Sequence, residues 1–139
     1  MTDLDAHEDR PVYVIDTHAF YWYLQNPKKL SPAADAVFRL AEAGGAIIVV
    51  PAIVVAEIFY AAKKQNRNLS LARLLNDIDE TAGYILSPLA RKQLEELDEL
   101  HDISEMHDRL IAAEALVQEA IVLSKDPVLA NCSSITTVW

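Results

Sequence analysis

The sequence predicts an α/β protein built as a single domain, with a parallel β-sheet of about four to five strands and helices on both faces. Three observations predict it: short apolar runs rich in β-branched residues recur along the chain, helical repeats with clear start and stop residues separate them, and polar residues close the runs. Short strands that alternate with helices form βαβ units with right-handed crossovers, and such units make parallel sheets. We expect residues 12–139 to form this domain and residues 1–11 to form a flexible tail.

Composition and charge limit the classes of protein to which the chain can belong. Its 139 residues suffice for one domain with a sizeable core. The net charge of −9 argues against binding of nucleic acid through bulk positive charge, so any contact with a polyanion must be local or assisted by a metal ion. The single cysteine, Cys132, excludes an intrachain disulfide. The chain begins without the features of a signal peptide, and its longest apolar run, residues 46–56, is too short to span a bilayer, so we expect a soluble, cytoplasmic protein.

The first predicted strand, residues 12–15, is continuously apolar and ends on Asp16. Strands that are covered on both faces have this composition. Asp16 then lies at the carboxyl end of the strand, which is where ligands bind in open α/β sheets. An Asp that precedes a helix can instead cap that helix by accepting backbone N–H bonds. A functional role for Asp16 therefore depends on finding partners for it.

Two helices and a second strand follow. Residues 19–24 suit a short helix whose aromatic side chains face either the core or a partner protein. The next helix begins at Ser31-Pro32 and stops at Gly44, because Ser and Pro favour helix starts and Gly favours helix ends. Residues 46–50 form a second apolar run and predict a second buried strand.

The helix predicted over residues 53–64 carries one acid, Glu57, in an otherwise apolar stretch. An acid in such surroundings is seldom fully buried unless it is paired or binds a metal ion, although Glu57 can also face solvent. Three cations stand at the end of this helix, Lys63, Lys64 and Arg67. They either form a solvated helix end, which the macrodipole favours, or contact phosphate groups.

The rest of the chain repeats the alternation of helices and strands. We expect, in order, a helix over residues 69–80, a strand over 84–86, a helix from Ser87-Pro88 through Leu100, a helix that starts near Asp108, and strands over 121–123 and 135–139. Asp108 falls in the first turn of its helix, where the helix dipole alone would explain it. Asp126 follows the fourth strand as Asp16 follows the first, although Asp126-Pro127 is also a common cap and turn.

A parallel sheet can bring four of these acids to one edge: Asp16, Glu57, Asp108 and Asp126. Two unit charges about 4 Å apart repel by about 4 kcal/mol at an effective dielectric constant of about 20. Such a cluster must take up protons, stay hydrated or bind cations, and Mg²⁺ and Mn²⁺ prefer oxygen ligands. Zinc is less favoured because no two histidines have the spacing of a zinc site. The sequence also has no nucleophilic-serine motif and no glycine-rich phosphate loop, which argues against serine catalysis and against that kind of phosphate binding.

Four segments carry a family resemblance: Val14-Ile15-Asp16-Thr17-His18, Val55-Ala56-Glu57-Ile58, His107-Asp108-Arg109-Leu110-Ile111-Ala112-Ala113 and Leu123-Ser124-Lys125-Asp126. In this order and at this spacing the chain resembles the PIN-domain ribonucleases, and within them the VapC-type toxins of prokaryotic toxin-antitoxin pairs. The resemblance runs from residue 12 to the end of the sequence.

The resemblance implies a Mg²⁺- or Mn²⁺-dependent endoribonuclease in which a metal-activated water cleaves an RNA phosphodiester bond. It implies that the matching acids hold one or two metal ions: Asp16, Glu57, Asp108 and Asp126. Ser124, together with Thr17, would support this site, and Ser124 would orient Asp126 or a water. Many relatives have a His-x-Asp-Pro-x-Asp-Arg run where this chain has Ile103-Ser104-Glu105-Met106-His107-Asp108-Arg109, so the roles of Glu105 and His107 stay open.

The resemblance also implies a homodimer and a small antitoxin whose tail blocks the acidic crevice with an Arg or Lys. We expect Lys63, Lys64 and Arg67 to contact the RNA backbone, and Arg109 to pair with a neighbouring acid. Two alternatives remain. The chain can be a non-catalytic PIN-like interaction domain whose acids serve as helix caps, or a DNA-directed structure-specific nuclease with the same acidic site.

Overall fold

The fold is an open, five-stranded parallel sheet with helices on both faces, in a computed structural model that describes residues 9–139. Most of the predicted tail, residues 1–8, lies outside the described residues. The strands are β1 (Val12–Ile15), β2 (Ile47–Pro51), β3 (Tyr84–Ser87), β4 (Ile121–Leu123) and β5 (Thr137–Val138). The predicted fold class is therefore confirmed.

Seven α-helices and two short 3-10 helices connect the strands of the described chain. They are α1 (Thr17–Gln25), a 3-10 helix (Pro27–Lys29), α2 (Pro32–Glu42), α3 (Ala52–Lys64), α4 (Leu71–Glu80), α5 (Arg91–Glu95), a 3-10 helix (Leu97–Leu100), α6 (Met106–Gln118) and α7 (Pro127–Ala130). Side chains cap the starts of five helices by accepting backbone N–H bonds, and the capping residues are Asp16, Ser31, Ser70, Glu105 and Asp126. Three of these five caps are acids at the starts of α1, α6 and α7.

The core lies on both sides of β1, the central strand, and of its neighbour β2. Every residue of β2 is buried, and Val14 and Ile15 of β1 are fully buried. The helices contribute large side chains such as Phe20, Phe38 and Ile111. Burial of one such side chain contributes about 1.5–3 kcal/mol, so the continuous apolar strands hold the sheet in the middle of the domain.

The strand order β3-β2-β1-β4-β5 determines where a ligand site can form. The chain moves from β1 outward through β2 to β3, then returns to place β4 on the other side of β1. Val14 pairs with Val49 of β2 and with Val122 of β4, and all the strand pairs are parallel. In such sheets ligands bind outside the carboxyl ends of the strands, at the point where the strand order reverses. That point lies between β1 and β4, where Asp16 and Ser124 stand.

The prediction of one helix from Ser87 through Leu100 is wrong. Ser87 ends β3, α5 begins only after Ala90, and a separate 3-10 helix follows it. The Gln93 side chain decides this start, because its Oε1 accepts the Ala90 backbone N–H (3.0 Å) and its Nε2 donates to the buried Glu114 (2.8 Å).

Two smaller features complete the fold. The helix expected over residues 69–80 begins at Leu71, after a Ser70 cap that accepts the Arg73 backbone N–H (3.3 Å). In the part of the chain that the structure describes, no helix is both long enough and apolar enough to cross a membrane.

Candidate active site

Asp16 connects β1 to α1 and is 4 % exposed. Its Oδ1 accepts the Ala19 backbone N–H (2.8 Å), so it caps α1, and its Oδ2 accepts the hydroxyl of Ser124. Burial raises the pKa of Asp16, and the negative charge of Asp126 raises it further, against the opposing effects of these hydrogen bonds and of His18. The cap uses one oxygen, so capping and a functional role for Asp16 are compatible.

Ser124 connects two of the acids from the end of β4. Its buried hydroxyl donates to Asp16 and accepts the backbone N–H of Asp126 (3.0 Å). Asp126 in turn caps α7, because its Oδ1 accepts the Val128 backbone N–H (2.9 Å). The hydroxyl proton therefore goes to Asp16, and Ser124 positions Asp126 through the backbone of Asp126.

Asp108, in the first turn of α6, is the third acid at this edge. Burial raises the pKa of Asp108 to about 6, and the charges of Asp126, Glu105 and Asp16, with a hydrogen bond to Asp126, contribute to the increase. A carboxylate with this pKa binds a proton near neutral pH, when an ordinary Asp does not. Asp16, Asp108 and Asp126, three residues far apart in sequence, thus form one electrostatically coupled group.

Glu57 lies beside this group and interacts with the residues next to two of the aspartates, Thr17 and His107. Its Oε1 accepts the hydroxyl of Thr17 (2.7 Å), the residue after Asp16. Its charge, together with the stronger effect of a hydrogen bond to Glu105, raises the pKa of His107, the residue before Asp108. An open pocket of about 340 Å³ lies between Glu57 and His107 and is otherwise lined by Ile53, Ala56 and Tyr60.

Glu105 has a structural role that its sequence position left open. Its Oε2 accepts the backbone N–H of Asp108 (2.8 Å), which caps α6, and its Oε1 bonds to Nδ1 of His107 (2.6 Å). Burial alone would raise the pKa of Glu105, but these bonds outweigh it and lower that pKa. Glu105 therefore holds both Asp108 and His107 in place.

The three cations predicted to contact RNA follow Glu57 at the carboxyl end of α3. Lys63, Lys64 and Arg67 stand at or just beyond the end of α3, and Lys64 is seven residues from Glu57, about 10 Å along the helix axis. Nζ of Lys63 lies 6.0 Å from the centroid of the Phe59 ring. Their contact with RNA stays a prediction.

Three further charged residues were not predicted correctly from the sequence: Arg109, His18 and Lys125. Among residues 9–139 Arg109 has no acidic partner, and its Nε and Nη2 both donate to the Leu97 carbonyl (2.9 and 2.6 Å). Sequence reasoning also missed His18 and Lys125, which stand next to the acids. Their positions one or two residues from Asp16 and Asp126 were the available signal.

The donors at this edge have the chemistry that suits a hard divalent cation. The four candidate residues offer carboxylate oxygens, which Mg²⁺ and Mn²⁺ prefer. Burial and the neighbouring carboxylates raise the pKa of Asp16 and of Asp108, and a bound cation would oppose both effects. Within residues 9–139 no three His, Cys, Asp or Glu side chains stand close enough together to hold a metal ion as they are. The assignment of Asp16, Glu57, Asp108 and Asp126 as ligands stays a prediction.

Three solved structures have folds similar to that of this chain. A chain of VapBC2 from Rickettsia felis, bound to a DNA fragment from the promoter, gives a TM-score of 0.67 at 16 % identity and covers 91 % of this chain and 97 % of that chain. A toxin-antitoxin complex from Klebsiella pneumoniae gives 0.67 at 14 % identity, with 91 % and 96 % covered. DNA-bound VapBC from Salmonella typhimurium gives 0.67 at 14 % identity, with 92 % and 97 % covered. At these identities the likeness shows a shared fold.

The sequence itself identifies the family. A search of curated proteins finds no match. The family model for the PIN domain matches residues 13–133, a range that includes all four candidate acids and both hydroxyl residues beside them. The chain therefore belongs to the PIN domain family.

Proposed function

We propose that this protein is a Mg²⁺- or Mn²⁺-dependent endoribonuclease that acts in the cytoplasm as the toxin of a VapBC-type toxin-antitoxin pair. The observation that carries the proposal is the electrostatic coupling of Asp16, Asp108 and Asp126 at the point where the strand order reverses. Membership of the PIN domain family supports nuclease chemistry, and the similar chains in VapBC complexes support the role of toxin.

The residues of the chain have distinct tasks in this proposal. Asp16 and Asp108 bind the principal metal ion, with Asp126 and Glu57 as further ligands. Ser124 keeps Asp16 oriented through its hydroxyl, and Thr17 does the same for Glu57. These hydroxyl contacts leave other lone pairs of the carboxylates free, since each carboxylate oxygen can accept two bonds.

Protonation of Asp108 limits the site at low pH. A pKa of about 6 means that this carboxyl keeps its proton when the medium is mildly acidic. Ligation needs the deprotonated form, so proton binding and metal binding compete at Asp108. When bound, the metal ion acidifies water and stabilises negative charge on the leaving oxygen of the phosphodiester. We therefore expect metal binding and cleavage to increase with pH from about 5 to 7.

The proposal includes a partner and a dimer. All three similar structures are VapBC pairs or a toxin-antitoxin complex. We propose that a VapB-like antitoxin inserts an Arg or Lys at the acidic edge, where it would neutralise the coupled carboxylates, and that the toxin is a homodimer. The net charge of −9 suits a basic inhibitory tail.

The test is cleavage of a mixed panel of structured RNAs by the purified chain in Mn²⁺, in Mg²⁺ and in chelator. Asp16→Asn is purified in parallel, because it keeps the size and capping ability of the side chain and removes its charge. Asp98→Asn is the matched control, since Asp98 is an exposed acid on the second 3-10 helix. We expect metal-dependent cleavage by the wild type and by Asp98→Asn, and at least a hundredfold less by Asp16→Asn.

Two results would contradict the proposal. Cleavage that persists in Asp16→Asn would identify a contaminating nuclease. An absence of cleavage, combined with no stabilisation by Mn²⁺ in a thermal melt, would favour a non-catalytic interaction domain. A parallel panel of branched and single-stranded DNA tests the third possibility, because cleavage of DNA alone would assign a DNA-directed nuclease.

A further inference from the structure

Trp22 lies at the centre of a surface cluster of aromatic and cationic side chains. Its ring centroid is 5.7 Å from that of His18 and 5.7 Å from that of Trp139, which it meets edge to face. Nζ of Lys29 and Nζ of Lys125 lie over the same ring, at 5.6 and 5.8 Å from the centroid. His18 and the two lysines are exposed, and both tryptophans are partly exposed. We call these five residues the Trp22 cluster.

The Trp22 cluster adjoins the acidic edge of the sheet. Lys125 is the residue between Ser124 and Asp126, and His18 is close enough to lower the pKa of Asp16, against the larger opposite effect of burial. The backbone N–H of Ser124 donates to the carbonyl of Val138 (3.1 Å), so Trp139 also stands at this edge. A ligand that touches the cluster would therefore lie beside the carboxylates.

Lys29 and Lys125 place two positive charges at one aromatic ring of this acidic chain. The guanidinium groups of Arg39, Arg91 and Arg109 are engaged by carboxylate or carbonyl oxygens. Lys29 and Lys125 instead share one aromatic ring. The two ammonium groups lie within about 11 Å of each other, close to the distance of about 8 to 10 Å over which charges interact in physiological salt. An anion between or beside them would be attracted by both ammonium groups.

We infer that the Trp22 cluster binds a single-stranded segment of RNA next to the point of cleavage, with Lys29 and Lys125 on backbone phosphates and the tryptophans against a base. This inference rests on the proposed function and extends it to the position of the substrate. Aromatic side chains beside cations are the usual means by which proteins hold single strands, because every base has a face that can stack. The lysines leave the Trp22 ring for phosphate when a base takes their place.

The geometry favours an unpaired strand over a duplex. Bases in a duplex are already stacked and paired, so an indole ring at the protein surface cannot reach their faces. The Trp22 cluster offers both aromatic rings and positive charges, whereas an acidic peptide would interact only with the positive charges. Polyglutamate therefore serves as a competitor that carries negative charge without bases.

Intrinsic fluorescence gives a direct readout, because the only two tryptophans of the chain, Trp22 and Trp139, are both in the cluster. The full chain in EDTA at low ionic strength is titrated with a mixed-sequence 12-nucleotide single-stranded RNA, so that binding is measured without cleavage. We expect saturable quenching that weakens as salt is added, and little quenching by a 12-base-pair RNA duplex. Quenching of equal strength by polyglutamate would overturn the inference.

Matched variants separate the cluster from general charge. The double variant Lys29→Gln/Lys125→Gln is compared with Lys28→Gln/Lys92→Gln, which has the same net charge and changes two exposed lysines outside the cluster, the sequence neighbour of Lys29 and a lysine on α5. We expect the first to weaken binding about tenfold or more and the second to weaken it less than threefold, as local phosphate contacts require. Equal weakening by both pairs would overturn the inference.

Substitutions of Trp22 test the stacking contact. Trp22→Tyr keeps an aromatic face, whereas Trp22→Leu keeps only apolar packing against Trp139. We expect Trp22→Leu to weaken binding of fluorescently labelled RNA by about 5- to 100-fold, the range of a lost stacking contact, and Trp22→Tyr to stay within a few-fold of the wild type. Thermal melts of both variants establish that they fold, and the lysine pairs remain as the test if Trp22→Leu does not. Equal affinity of folded Trp22→Leu and the wild type would overturn the stacking contact.

The inference and the proposed function can fail separately. If the wild type cleaves RNA in Mn²⁺ and Lys29→Gln/Lys125→Gln does so with an unchanged KM, the nuclease stands and the inference is refuted. If single-stranded RNA quenches the tryptophans but no RNA is cleaved, the binding site stands and the nuclease is refuted.

Discussion

Asp108→Asn tests whether the carboxylates at the sheet edge repel one another in the metal-free protein. The substitution keeps the shape of the side chain and removes its charge. In the folded protein burial and the neighbouring acids raise the pKa of Asp108 from 3.8 to about 6. The folded state therefore holds a proton on Asp108 over a pH range in which the unfolded chain has lost it. The free energy of unfolding must then fall as the pH rises from about 4 to 6, and it stays at its lower value above that range.

The magnitude follows from the shift. A difference of about two pKa units corresponds to about 3 kcal/mol at most, at about 1.4 kcal/mol for each unit. Two effects reduce it. Asp108 is partly exposed to solvent, and a negative charge in the first turn of α6 gains about 0.3–1 kcal/mol from the helix dipole, which Asn loses. We therefore expect Asp108→Asn to stabilise the metal-free protein by about 1 kcal/mol at pH 7.5, which is a rise of roughly 2–5 °C in Tm.

Urea denaturation in EDTA at pH 4.5 and at pH 7.5 measures the effect. The gain in unfolding free energy should be present in full at pH 7.5 and clearly smaller at pH 4.5, because the folded wild type is then protonated at Asp108. Asp98→Asn, in an exposed acid, should change stability by less than about 0.5 kcal/mol at both pH values. A variant as stable as the wild type at pH 7.5, or a gain that does not depend on pH, would refute the electrostatic reasoning.

Four further predictions follow from the same contacts. Asp16→Asn should keep its cap on α1, raise the Tm of the metal-free protein by a few degrees and abolish cleavage, and a lower Tm would count against repulsion at this edge. Ser124→Ala removes a buried hydroxyl that Asp16 and the Asp126 amide both use, so it should cost about 1–3 kcal/mol in urea denaturation and lower kcat, while retained kcat would dismiss its orienting role. Glu114→Leu leaves the buried Nε2 of Gln93 without its acceptor and should cost about 1–3 kcal/mol, whereas Glu114→Gln, which keeps an acceptor oxygen, should cost less. Mn²⁺ should raise the Tm at pH 7.5 and much less at pH 5, because protons compete for Asp108, and an equal rise at both pH values would exclude this residue as a ligand.

The strands and the ends of the first helices could be predicted from the sequence because local chemistry determines them. The apolar composition of residues 47–51 predicts a strand covered on both faces. The structure agrees, because β2 is buried at every position. Ser31 caps α2 as its sequence context predicts, since the bond to the Ala34 backbone N–H (3.0 Å) needs only neighbouring residues. Asp16 and Asp126 follow strands that are adjacent in the sheet, and this places them at one edge.

The features that the sequence could not predict depend on contacts between residues that are far apart in the chain. The start of α5 depends on the bond between Gln93 and Glu114, which are 21 residues apart, and neither side chain differs locally from one on a solvated helix. Leu89 and Leu94, which lie within the range of the single helix predicted from the sequence, are 49 % and 51 % exposed. Trp22 is a further example, because its surroundings include Trp139 and Lys125 from the other end of the chain.

The pairing of β1 with β4 also has a consequence for the order in which the protein forms. The hydroxyl of Ser124 and the carboxylate of Asp16 are 108 residues apart in sequence, and they meet only when β4 has docked beside β1. A chain emerging from the ribosome presents β1, β2 and β3 long before it can supply Ser124 or Asp126. The nascent chain thus carries Asp16 without Asp108 and Asp126 until those residues have been synthesised. The proposed nuclease activity therefore begins only after the segment through Asp126 has been synthesised and β4 has docked beside β1.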